Sequence, residues 1–132
     1  MKRLLVGVMS LLLINSCAND DDASQNDLTL VGQWQLVAFY GDPGDGSGDF
    51  QPLTSSKTIT FEADGSLSSN ANLCLVFSDV GEPSAGTYSE TDASISIADC
   101  SDFNLVFEIS ATNLIIDYPC IEACREKYVK LE

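Results

Sequence analysis

The sequence contains no histidine. That excludes a serine or cysteine nucleophile served by a histidine base, and a hydrolytic zinc centre with histidine ligands. Positive charge is almost as scarce, with six Lys and Arg against twenty Asp and Glu and a formal charge of −14. A phosphate backbone is gripped by clustered bases, so nucleic-acid binding is excluded. The same acidic body is repelled by anionic lipid surfaces. Helical periodicity is missing throughout, and the longest apolar stretch, residues 4–14, falls short of the roughly twenty residues that cross a bilayer. Twenty acids make some neighbouring carboxylates inevitable, yet nothing marks any two as a buried acid and base. No enzyme and no cofactor are expected.

What is present begins with an address. Lys2 and Arg3, the apolar run and then Asn15, Ser16 and Cys17 have the three regions of a bacterial secretory signal. Ile14-Asn15-Ser16-Cys17 resembles a lipobox, which implies that residues 1–16 are removed and that Cys17 is lipidated and becomes the first mature residue. Three acyl chains on such a cysteine exceed the two signals needed for stable anchoring, so the membrane partner is reached through lipid. Residues 17–27 hold the cysteine and an acidic linker with no aromatic or large aliphatic side chain, too little apolar surface to order itself. Asp20-Asp21-Asp22 resembles a surface-export signal, and Ala18 lacks the aspartate of inner-membrane retention. An outer-membrane, cell-surface location is expected. Without Lys2 and Arg3, four bases face twenty acids, a mature charge of 4 − 20 = −16.

Residues 28–132 are the size of one domain with one core. Their period is two. Phe103, Leu105, Phe107 and Ile109 alternate with mostly polar neighbours, as do Ile59 and Phe61, and Ile95 and Ile97. Asp64-Gly65, Thr91-Asp92 and Thr112-Asn113 punctuate these runs at hairpin spacing. Strands are expected over 30–40, 57–63, 66–77, 86–90, 94–98, 103–110, 113–118 and 126–131, an all-β, antiparallel up-and-down barrel of about eight strands whose closure removes its edges. A monomer is expected. Residues 41–56 and 78–85 read as rim loops. Within the first, Asp45, Ser47 and Asp49 have the alternating oxygens that open a calcium loop. Phe50 and Ser56 stand where such a loop requires glycine and glutamate, so no metal site is assigned.

Gly32-Gln33-Trp34 opens the first strand with a Gly-x-Trp signature, followed by residues 58–65, Gly86-Thr87-Tyr88 and the tail from Tyr118 to Tyr128. Together these resemble small lipocalin-like domains of bacterial surface lipoproteins. The resemblance implies capture of a small apolar ligand, with Trp34, Leu36, Phe61 and Phe107 as inward-facing candidates and Ala38 on the face of Trp34 and Leu36. The competing expectation is an envelope module that binds a protein or glycan through rim loops over a packed core. Trp34 closing the bottom of the core, and inward side chains simply filling it, account for the same residues without a ligand, because eight strands leave little more than side-chain room.

With Cys17 lipidated, Cys74, Cys100, Cys120 and Cys124 remain in a compartment that permits disulfides. Three pairings are possible. Cys74 with Cys100 and Cys120 with Cys124 is favoured, because the second pair is close in sequence and the first would tie the third strand to the loop after the fifth. A four-cysteine zinc site would show two short knuckles, and only one is present. Arg125, Lys127 and Lys130 crowd the last eight positions, but Arg125 and Tyr128 are three apart and face opposite sides of a strand, which leaves the bases on the exposed face.

Overall fold

A computed structural model describes residues 29–100, 102–110 and 112–132. The expected secretory signal, the expected lipidation site Cys17 and the expected acidic linker lie outside the described residues. Among these described residues nine strands follow in order: β1 (Gly32–Gly41), β2 (Asp49–Pro52), β3 (Thr58–Phe61), β4 (Ser66–Ala71), β5 (Val80–Ser89), β6 (Ser94–Ile97), β7 (Leu105–Ser110), β8 (Asn113–Tyr118) and β9 (Cys124–Lys130). Every neighbour pair from β3 to β9 is antiparallel, and β9 returns to β1, so eight strands close into a barrel. β2 is the extra strand. It pairs with residues 38–41 of β1 on the edge that β3 occupies at residues 32–35, so β2 and β3 lie end to end along one strand.

The expected up-and-down antiparallel barrel is present, with altered strand limits. β2 is hidden in an Asp- and Gly-rich stretch that reads as loop, and it ends at Pro52, a residue tolerated at a sheet edge. β4 stops at Ala71 and not at residue 77, because the Asn72 side chain accepts the Cys74 N–H at 2.9 Å and turns the chain away from the sheet. β5 begins at Val80, so most of the expected rim loop 78–85 is strand.

One end of the barrel is closed by short turns. Asp64 Oδ1 accepts both the N–H and the hydroxyl of Ser66, and Gly65 takes a φ of +88° that the turn requires. Trp34 seals the floor, 2% exposed, its indole N–H donating to the Leu30 carbonyl at 2.8 Å. Gly32 makes room for the last strand: a Cβ there would lie 2.8 Å from Lys130 Cε. Lys130 crosses that gap to place its ammonium 5.7 Å from the Trp34 ring centre and to donate to the Thr29 carbonyl. Gly86 serves the wall in the same way. Its Cβ would stand 2.0 Å from the Ser96 carbonyl oxygen on β6.

The core runs from Trp34 upward through Leu36, Ile59, Phe61, Leu67, Ile95, Leu105, Phe107, Leu114 and Ile116, all buried, as alternation at period two requires. One expected position moves. The register of β1 against β9 shifts between Leu36 and Ala38, so that Leu36 faces Tyr128 but Ala38 faces Lys127 and Phe39 faces Glu126. Directly opposed residues share a face. Beyond this bulge Phe39, half-buried, is set opposite the inward Glu126, while Ala38 stays buried opposite Lys127.

Candidate functional site

The other end of the barrel is its mouth, and the longer connections converge there: residues 42–48, residues 72–79, the β6–β7 segment, and residues 119–123. Both disulfides lie at this end. Cys74 bonds Cys100, joining the β4–β5 connection to the β6–β7 connection, and Cys120 bonds Cys124, closing the β8–β9 turn, with Cα separations of 5.3 and 6.0 Å. The favoured pairing is the one present. A zinc site from the same four sulfurs is thereby excluded. Lys127 and Arg125 lie on the outer wall, the former 3.9 Å from the Phe50 ring centre and the latter 5.8 Å from that of Tyr40.

Beneath the mouth lies a buried polar cluster that sequence reasoning missed. Lys57 Nζ donates to both oxygens of Glu126 at 3.0 Å and to Ser78 Oγ at 3.1 Å. Glu126 Oε2 also accepts the hydroxyls of Tyr118 at 3.0 Å and Tyr128 at 2.5 Å, while its Oε1 accepts the backbone N–H of Phe77 at 2.9 Å. Lys57 and Glu126 have no exposed surface. Two buried charges persist in such a setting only when paired and hydrogen-bonded, a condition met here on both sides. Burial pushes the Tyr118 and Tyr128 hydroxyls well above the usual tyrosine range, with the Glu126 carboxylate acting in the same direction.

The signal was the same period of two. Lys57 is in phase with Ile59 and Phe61, and Glu126 with Cys124 and Tyr128, so each charge occupies an inward position of its run. In a chain with twenty acids, a solvated exterior is the ordinary assignment, and it concealed Glu126.

The connection over residues 72–79 covers this cluster. Leu73 is fully buried and fills the top of the barrel, its N–H held by Ser84 Oγ at 3.1 Å. Ser78 Oγ donates to the Asn72 carbonyl, which folds the connection back on itself. Phe77 adopts a φ of +59°, a rare state for an aromatic residue, and thereby aims its N–H at Glu126 while its ring packs edge-on against Phe39, centroids 5.2 Å apart.

The four ligand candidates are brought together, but as packing. Trp34, Leu36, Phe61 and Phe107 are at most 5% exposed. Of these, Leu36 reaches a small depression of about 130 Å³ that it shares with Leu53, Phe77 and Ser78. A more apolar depression of about 220 Å³ lies between the two disulfides, lined by Cys74, Leu75, Val76, Phe103, Tyr118 and Cys120. Comparison with family models, curated proteins and solved structures finds no match. Among the described residues no group of three or more acids or cysteines is placed to hold a metal ion. In the acidic loop, Asp42 is occupied as an acceptor for the N–H groups of Gly44, Asp45 and Gly46, which lower its pKa, Gly44 first.

Proposed function

We propose that the chain is a lipid-anchored, non-enzymatic binding protein of the outer cell envelope, and that it works through the disulfide-clamped mouth of its barrel. Tethering at Cys17 would hold the domain on the outer membrane, with the acids at 20–22 directing it to the cell surface. One observation carries the reading. The interior under the mouth is filled by Leu73 and the Lys57–Glu126 cluster, whereas Leu75, Phe77, Val80 and Ile121 stand exposed around it. A filled barrel with apolar side chains on its rim favours an envelope protein or glycan over a molecule enclosed among Trp34, Leu36, Phe61 and Phe107. The expected test is a photoreactive amino acid in place of Ile121 in the native host, with the same probe at Glu90 in a closed-end turn as control. A specific adduct from position 121 alone supports the mouth. Repeated absence of one overturns it.

The 220 Å³ depression between the disulfides favours a second reading, in which a small apolar ligand rests on Tyr118 and Phe103 at the rim. Native mass spectra of the anchored protein in detergent, before and after unfolding, decide this. An extra mass released on unfolding supports it, and a bare polypeptide counts against it.

A further inference from the structure

Resting on that reading of the mouth, we propose that the partner is a polypeptide segment that is basic and apolar-faced, gripped by hydrophobic knobs set among carboxylates. The knobs are unusual for a small monomer's surface: Ile121 is 103% exposed, Leu75 58%, Phe77 47% and Val80 46%. They come from two mouth connections and the first residue of β5. Leu75 lines one depression with Pro119 and Cys120, so the connection that carries Ile121 lies directly beside it. Each connection is fastened by a disulfide, and Phe77 is held by Glu126 and Phe39. A surface already ordered binds without the entropy loss of ordering it on contact.

The charge around the knobs has one sign. Asp79 and Glu82 bracket Val80, Glu122 follows Ile121 and lies against Gly44, and Asp99 and Asp102 stand on the connection tied by Cys100. The four mouth connections carry no base, and Lys57 beneath them is buried and paired with Glu126. Arg125, next to the Cys120–Cys124 turn, is already paired with Asp117, so a partner that covers Ile121 and Leu75 meets carboxylates with no free cation among the mouth connections and must bring Lys or Arg of its own to satisfy them. Anionic glycans and lipid surfaces are repelled by the same rim. A second copy of this chain, equally acidic, is disfavoured as well.

The test uses the full-length protein in neutral detergent, and fluorescently labelled peptides of alternating leucine and lysine, leucine and glutamine, or leucine and glutamate. The lysine peptide is expected to bind in a salt-sensitive manner, about tenfold or more weakly to the Leu75→Ser/Ile121→Ser variant, as for loss of central interface contacts. Val106→Ser, which alters an exposed apolar residue on the outer wall, should leave binding unchanged. Equal binding of the glutamine or glutamate peptide, or full affinity in the double variant, overturns the proposal. A dimer that the double variant dissociates would overturn it too, reassigning the rim to a second copy. An adduct that still forms from position 121 after any such result leaves the mouth reading intact and discards only the partner's chemistry. Absence of the adduct discards both.

Discussion

Lys57 and Glu126 meet across β1, the first entering just before β3 and the second from β9, the strands on either side of it. Their 3.0 Å contact inside the barrel thus links the two neighbours of the strand at which the barrel closes. The same carboxylate takes the Phe77 N–H and two tyrosine hydroxyls, so the mouth connection and the last two strands share one acceptor.

Removing either charge alone should be costly. Lys57→Met and Glu126→Leu each strand a buried ion or its donors, and each should lower unfolding free energy by about 3–5 kcal/mol in urea titrations. The double variant should be less destabilised than the sum of the two, because no charge is left unpaired. It will not regain wild-type stability, since Tyr118, Tyr128 and Phe77 lose their acceptor. Additive losses would show that the pair is not coupled.

Alkaline pH should unfold the barrel through Tyr118 and Tyr128. Both have folded-state pKa values raised by burial and by Glu126, so above the unfolded value of about 10 the unfolded chain releases protons that the folded chain retains. Their contribution to stability is therefore intact below that pH and is lost as pH rises toward the folded values. Tyrosinate absorbance is expected to show these two hydroxyls ionising together with loss of the Trp34 environment. Tyr118→Phe should flatten the alkaline slope, and an unchanged slope would exclude Tyr118 as a contributor.

The disulfides should differ in weight. On the chain-entropy estimate, opening the 26-residue separation between Cys74 and Cys100 costs about 3.5 kcal/mol and opening the 4-residue one between Cys120 and Cys124 about 2 kcal/mol. Paired Cys→Ala variants, followed by denaturant midpoints, test the order. Loss of the first should also speed hydrogen exchange across residues 72–79, whose attachment to the β6–β7 segment it removes.

Gly86→Ala should destabilise by about 3 kcal/mol or more, through overpacking. The added methyl would overlap the Ser96 carbonyl, which is backbone in a paired strand and cannot move aside. Gly81→Ala provides the contrast in space, since nothing lies within 4 Å of its added Cβ. Its φ of +119° still costs the alanine some strain, so the informative result is the larger fall at Gly86 in thermal melts.

Period two in the sequence was enough to determine an antiparallel barrel, because each half-buried strand records its own inward face in alternate residues. The even count of the cysteines other than Cys17 and their spacing likewise pointed to the pairing found. Only the tertiary structure decided what fills the mouth. Local alternation can mark Lys57 and Glu126 as inward, but their 69-residue separation means that nothing short of the closed sheet brings the charges together. The bulge that sets Phe39 opposite Glu126 depends likewise on which backbone groups the distant β9 offers. Those partners are distant in the chain, and a reading of adjacent residues does not contain them.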